Sequence, residues 1–245
     1  MTKTHKKINQ IPQKQQVQPK DKIIVCWCDN GTTDGKFTEG LVYSIISSGL
    51  PITSAMRVQG NQIGRQRQEA LEFWYEKTDF DWVLWVDSDI VLTNDALHKV
   101  WQAADAIERP VVTGTYFISK ENERAMMAPY PAIFNWVDGE EYKIQYVHPL
   151  PANALIKVGS AGFGFVLMHR SAITKMRKVH GAIPYFNETG VGEKFVSEDI
   201  NFFRLMNKAD VPLYSHTGAV VQHMKRFSVD VEYYKFFWNN ERPEG

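Results

Sequence analysis

Two carboxylates two positions apart, Asp87 and Asp89, end the apolar run Trp82-Val83-Leu84-Trp85-Val86. A second acidic pair, Glu198-Asp199, follows Ser197, and His223 stands just beyond the short apolar run Ala219-Val220-Val221. Buried carboxylates are costly unless a cation meets them. Oxygen ligands with one imidazole suit Mn2+ or Mg2+ better than a thiolate-seeking metal, and such an ion at a nucleotide is usually held by one or two carboxylates plus phosphates. These residue types therefore admit a divalent metal with an anionic ligand at Asp87 and Asp89. His223 is the candidate third ligand, and His216 competes with it. One of Glu198 and Asp199 could act as a general base, which requires it to come within ~3 Å of a hydroxyl oxygen.

Each feature also has a plainer reading. Strand-ending acids can cap the next helix, although Thr93 and Asn94 already offer that cap. Ser197 is a good N-cap, and acids in a first helical turn favour the helix dipole. Arg65, Arg67 and Lys120 could pair with phosphates, Arg through two-pronged contacts, or could simply face solvent. In Ser160-Ala161-Gly162-Phe163-Gly164, the glycines could let the backbone approach a ligand or allow close strand packing.

The elements that must position these groups follow from the apolar pattern. Ile23–Cys28 reads as a first strand, followed by the polar loop Asp29-Asn30-Gly31-Thr32-Thr33-Asp34-Gly35. A helix is predicted from Phe37 to about Ser48, a strand over Pro51–Val58, and a helix from Gln62 to about Lys77 that carries Arg65 and Arg67. The two-sided apolar run from Trp82 reads as a strand buried on both faces. A helix over Asp95 to about Ile107 shows Leu97, Val100, Trp101 and Ala104 at i, i+3, i+4, i+7. Pro110–Tyr116 is another strand. This alternation implies βαβ units on a parallel sheet, whose carboxyl edge is where open α/β sheets bind ligands. Residues 117–158 loosen into a proline-containing segment with short strands near 132–136 and 141–147. A strand is predicted over Ser160–Met168, a short helix capped by Ser171, a loop over 180–196, and a helix from Ser197 to about Lys208. Short strands follow at Val211–Tyr214 and Ala219–Val221. No internal repeat is present.

With 245 residues, 44% apolar and 13% aromatic, the chain fills one large domain or two small ones. Lys+Arg and Asp+Glu are both 28, so net charge gives no signal for nucleic acid as a partner. Cys26 and Cys28 are too few for a disulfide scaffold or a cysteine-based zinc site, which suits a reducing compartment. No apolar run reaches the ~18 residues of a membrane span, and no secretory signal is evident, so a soluble, cytoplasmic protein is expected. Residues 1–21 are Lys/Gln-rich and predict a disordered basic tail; 22–227 form the main domain and 228–245 an aromatic-rich end.

Together these residues are familiar. Gly64-Arg65-Gln66-Arg67-Gln68, Trp85-Val86-Asp87-Ser88-Asp89-Ile90, Thr113-Gly114-Thr115-Tyr116 with Lys120, Gly162-Phe163-Gly164-Phe165, Ser197-Glu198-Asp199-Ile200 and His223 follow in that order. The set resembles the GT-A fold glycosyltransferases, most closely the small family-2-like enzymes of bacteria and phages, from about Lys22 to His223. The resemblance implies a Rossmann-like, mostly parallel α/β sheet flanked by helices, and sugar transfer from a nucleotide-sugar donor to an acceptor hydroxyl. It matches Asp87 and Asp89 to the motif that holds Mn2+ or Mg2+ against the donor diphosphate, and His223 to the downstream metal ligand. Asp199, beside Glu198, matches the base of inverting members. The donor side comprises Asp29, Arg65, Arg67, Asp87, Ser88, Lys120, Gly162 and Gly164. A UDP-sugar is the default donor and a GDP-sugar the second, while a glycan, a protein, a small molecule and a modified nucleic-acid base all stand as acceptors. Gln68 departs from the Arg-Asn pair of related sequences. No Gln-X-X-Arg-Trp motif is present, which with the lack of a membrane span argues against a polymerising membrane enzyme. The competing readings are a nucleotidyltransferase and a noncatalytic protein that binds a nucleotide sugar or glycan.

Overall fold

The computed structural model describes residues 21–118, 129–191, 194–225 and 231. The basic segment 1–20, Lys120 and the aromatic residues from Tyr233 onward lie outside the described residues.

The chain opens with strand β1 (Ile23–Asp29), helix α1 (Gly35–Ser48), strand β2 (Ile52–Gln59), helix α2 (Ile63–Lys77) and strand β3 (Trp82–Val86). Helix α1 starts where Asp34 accepts a bond from the Lys36 N–H, and it stops at Gly49, whose φ of 62° favours glycine. After β3 the run breaks. Residues 87–89 turn, and Ile90–Val91 form a separate short strand, β4, before helix α3 (Asn94–Ala103), which Thr93 caps. That helix ends four residues short of the predicted Ile107. Asp105 takes the N–H groups of Ile107 and Glu108 at 2.9 and 2.8 Å, a side-chain turn that competes with helical bonding.

Strand β5 (Val111–Thr115) follows, then β6 (Phe117–Ile118), β7 (Tyr130–Pro131), β8 (Ile133–Trp136), β9 (Ile144–Tyr146), β10 (Leu155–Val158) and β11 (Ser160–Ala161). Next come β12 (Phe165–His169), α4 (Arg170–His180), a hairpin of β13 (Thr189–Val191) and β14 (Lys194–Val196), α5 (Glu198–Lys208), β15 (Leu213–Val220) and β16 (Gln222–His223).

Seven strands form the central sheet in the order β10-β15-β5-β12-β3-β1-β2. β1 pairs in parallel with β2 and β3, and β5 in parallel with β15, while β12 lies antiparallel between β3 and β5. The carboxyl ends of β1, β3 and β5 consequently share one edge. The sheet is buried on both faces. Val83 and Trp85 of β3 pack with α2, α4 and α5, whereas Trp82, Leu84 and Val86 pack with α1 and α3. Side chains alternate faces along a strand, so an unbroken apolar run is what a two-sided core requires.

Several expectations change. The predicted strand over Ser160–Met168 is two strands in two sheets. Ser160 and Ala161 pair with Phe134 and Ile133 of β8, and the central-sheet pairing begins only at Phe165. Val211–Tyr214 and Ala219–Val221 are largely one strand, β15. His169, not Ser171, caps α4: its Nδ1 accepts from the Ser171 N–H at 3.2 Å, while the Ser171 hydroxyl donates to Ala106 O. The edge strand β10 and the β13–β14 hairpin had no counterpart in the sequence reading. Among the described residues no helix is long and apolar enough to cross a membrane, and Cys26 and Cys28 are buried free thiols.

Candidate functional site

The site is built where β1, β3 and β5 end. The turn after β3 is fixed by its backbone: Asp87 N–H donates to Gly164 O at 3.0 Å, and Ile90 N–H returns to Asp87 O at 2.9 Å. β4 then pairs with β16, so that His223 lies opposite Ile90. That short pairing delivers His223 to Asp89 across 134 residues, Nε2 to Oδ2 at 3.0 Å. The other ring nitrogen, Nδ1, faces Phe117 O at 2.9 Å. A carbonyl only accepts, so Nδ1 donates to it, and the Asp89 carboxylate likewise only accepts, so Nε2 donates there; a bound metal would take the place of that Nε2 proton. Lys225 Nζ lies 3.7 Å from the same Asp89 oxygen. Burial works against the Asp89 charge, but His223 and Lys225 outweigh it and hold the carboxyl below its ordinary range.

Asp87 points elsewhere. Arg67, in α2, places Nη2 at 2.9 Å from both Asp87 oxygens and Nη1 at 2.8 Å from Glu198 Oε1. Its side chain is 6% exposed, and its guanidinium lies over the Phe163 ring at 5.1 Å. Burial disfavours this cation, yet Asp87, Asp199 and Glu198 more than compensate and strengthen its hold on its proton. Burial, then the neighbouring Asp199, raise the Glu198 carboxyl, and Arg67 offsets part of that rise.

Asp199 sits beside Glu198 at the start of α5. Its Oδ1 accepts from the Ile200 N–H at 2.8 Å and from the Ser197 hydroxyl. Ser197 thus occupies the N-cap position but gives the helix no side-chain cap, because its hydroxyl is turned to Asp199. Oδ2 of Asp199 has no partner among the described residues.

The expected metal set is only partly assembled. Asp89 and His223 meet, Asp87 is turned to Arg67, and among the described residues no group of three His, Cys, Asp or Glu side chains gathers around one point. A carboxylate with an imidazole whose far nitrogen is anchored fits a divalent ion that takes its remaining ligands from phosphate oxygens and water. His216 does not compete. It is buried on β15, and its Nδ1 accepts from Gly218 N–H at 3.2 Å.

Other sequence candidates meet protein partners. Asp29 is saturated: Arg57 grips it through Nε at 2.6 Å and Nη2 at 2.7 Å, and the Gly31 and Trp27 N–H groups add 2.7 and 3.1 Å bonds. Its carboxylate braces the β1–β2 edge, each oxygen accepting two bonds from the protein. Bonding to Arg57 holds its carboxyl below the ordinary range, against the effect of burial. A depressed carboxyl stabilises the fold above the unfolded-chain value near ~3.9 and loses that contribution as pH falls through the lower folded value. The stability advantage of the native chain over Asp29→Asn is therefore expected to be full above about pH 4 and to shrink below it, as read from urea midpoints across that range.

Arg65 is exposed in the first turn of α2 and has no ion-pair partner among the described residues, and Ser88 is half-buried in the turn between the two aspartates. Gly162 and Gly164 make room for Tyr116. A Cβ on Gly162 would come 2.0 Å from the Tyr116 hydroxyl, and one on Gly164 3.0 Å from the ring. The space their missing side chains leave is filled by protein, which is the packing alternative. Gly162→Ala is expected to cost about 1–3 kcal/mol in unfolding free energy. Tyr116→Phe in that background should restore part of it, and no recovery would show that the phenol is not the obstacle.

Some contributors stood within or near the motifs without a role of their own in the sequence. Tyr116 is buried, takes the Gly164 N–H at 3.3 Å and meets the His223 ring edge-on at 5.0 Å. Gln66 Nε2 ties Asp29 O and Val58 O together, both at 2.9 Å. Gln68, the departure from the Arg-Asn pattern, accepts from the Tyr185 N–H at 2.8 Å and so pins the 185–186 segment. Glutamine on a helix gives no sign of such long-range bonds. Lys225, two residues past His223, is recognisable only once His223 is placed.

The Glycosyl transferase family 2 model matches residues 8–176, well over half the chain; Asp87, Asp89 and Arg67 lie within the match and Glu198, Asp199 and His223 beyond it. No curated protein matches the chain by sequence. Among solved structures, A197 from STIV is similar with a TM-score of 0.53 at 17% identity, over 84% of this chain and 86% of that one. GalNAc-T7 with UDP, GalNAc and Mn2+ has a TM-score of 0.50 at 9% identity, over 85% of this chain and 44% of that one. These likenesses are of fold, and the fold they share is GT-A.

Proposed function

The chain belongs to glycosyl transferase family 2 and is a glycosyltransferase, and from that premise we propose that it moves a sugar from a nucleotide-sugar donor to an acceptor hydroxyl with inversion. The observation that carries the division of labour is the pair of differently held aspartates: Asp89 with His223 on one side, and on the other Asp199, whose Oδ2 has no partner among the described residues. Asp89 and His223 would hold Mn2+ or Mg2+, with Asp87 beside them. When bound, the ion supplies positive charge against the diphosphate that leaves.

The protein's own groups do the rest. Anchored on Phe117 O, His223 presents Nε2 in a fixed direction. Asp199 takes the acceptor hydroxyl proton at Oδ2, while Ser197 and the Ile200 N–H keep Oδ1 in place. Lys225 lends further positive charge at the same edge. The family resemblance favours a UDP-sugar over a GDP-sugar, and one structural neighbour is bound to UDP, GalNAc and Mn2+.

A product assay over a panel of nucleotide sugars and hydroxyl acceptors, with and without Mn2+, tests the reading. Metal-dependent release of nucleoside diphosphate together with glycosylated acceptor supports it. Pyrophosphate as the product would show nucleotidyl transfer. Donor binding with neither transfer nor hydrolysis across the panel would show a binding protein.

A further inference from the structure

We infer that Arg67 is a positioning residue, not a phosphate contact: it locks the donor-side carboxylate Asp87 to the acceptor-side Glu198 so that the two halves of the site move as one. The inference rests on the proposed donor and acceptor sides, and the clamp itself rests on geometry alone. One guanidinium joins three elements: α2, the turn after β3 and the start of α5. Its Nη2 meets both Asp87 oxygens at 2.9 Å and its Nη1 meets Glu198 at 2.8 Å.

Phe163 closes one face of the guanidinium, and the side chain is 6% exposed. The first turn of α2 is fixed just behind it, where a Cβ on Gly64 would come 2.5 Å from Phe186 O and 3.4 Å from the Glu198 side chain. A diphosphate reaching for this cation would have to displace Asp87 or Glu198. That would leave a carboxylate unpaired in a largely buried setting, a costly exchange. The arginine that sequence reasoning assigns to the donor is thus already engaged. Its bonds set the direction of Asp87 and, through Glu198, the seat of the neighbouring Asp199.

The test is a set of double-mutant cycles on the full chain, with Arg67→Lys, which keeps the charge and loses the fork, alongside Asp87→Asn and Glu198→Gln. The first readout is calorimetric binding of UDP or GDP with Mn2+. Arg67→Lys is expected to weaken binding roughly 3–10-fold in the native background and less than about twofold in the Asp87→Asn background. Equal weakening in both backgrounds would mean that Arg67 touches the nucleotide, and would overturn the inference.

The second readout is the ratio of sugar transfer to donor hydrolysis, which does not depend on how much of the protein is folded. Arg67→Lys and Glu198→Gln should each lower it, and together no further. An unchanged ratio in Arg67→Lys would remove the acceptor-side role. A native chain that binds neither nucleotide would refute the donor reading. The clamp is then judged by thermal unfolding, where non-additive shifts for Arg67→Lys with Asp87→Asn support it and additive shifts overturn it.

Discussion

Asp89→Ala is expected to lower kcat/KM for metal-dependent transfer roughly 10²–10³-fold, the scale of losing one preorganised charge-stabilising group at a leaving group. It should also abolish the response to added Mn2+. The structure makes Asp89 the cleaner of the two aspartates to test. Its side chain is 45% exposed, and its partners are His223 and the half-exposed Lys225, so its removal disturbs the site more than the core. Asp87→Ala should lose activity as well, but it strips Arg67 of a partner that meets it through both oxygens and leaves the buried cation bonded to Glu198 only, among the described residues, with Asp199 nearby. Breaking such a pair on one side typically destabilises the fold by about 3–5 kcal/mol, so its loss of activity mixes two causes. His223→Ala should reproduce the Asp89 phenotype, including the lost Mn2+ response. Full metal-stimulated transfer in Asp89→Ala, assayed as nucleoside diphosphate release, would end the assignment of the leaving-group side.

Asp199→Asn is expected to reduce kcat roughly 10²–10⁴-fold, the range of a general base, while donor affinity stays within about twofold. The amide still accepts at Oδ1 from the Ile200 N–H and the Ser197 hydroxyl, so the start of α5 is preserved. What is lost is the oxygen, unpartnered among the described residues, that would take the acceptor proton. Glu198 cannot replace it, because its carboxylate is tied to Arg67 at 2.8 Å. Single-turnover rates with saturating donor, set beside calorimetric donor binding, separate the two effects. Preserved turnover at saturation with lost donor binding would place Asp199 on the donor side instead.

The Asp87–Asp89 spacing, the Glu198-Asp199 pair, the αβ alternation up to Tyr116 and the two-sided apolar strand at Trp82–Val86 were all legible in the chain, because each is a local pattern: periodicity, a cap, a strand end. The family was legible for the same reason, through an ordered set of short motifs. Residues whose partners are remote were read less well. Nothing local to Asp29 shows that Arg57 grips it, and nothing local to Gly162 or Gly164 shows that Tyr116 packs against them. The break of Ser160–Met168 between two sheets was equally hidden, since Ser160 and Ala161 are claimed by β8 rather than by their own neighbours.

Local patterns along the chain suffice for a glycosyltransferase fold with acidic groups at a strand end and a helix start and a histidine far downstream. Which of those groups act together depends on how remote segments pack. His223 reaches Asp89 because two residue pairs, Gln222 with Val91 and His223 with Ile90, close a 134-residue separation. Arg67 is held inward because Asp87 and Glu198, 20 and 131 residues away, converge on it. Burial and charge pairing between distant segments depend on distances that the linear chain does not carry, so a motif can name a residue's chemistry while its partner decides its use.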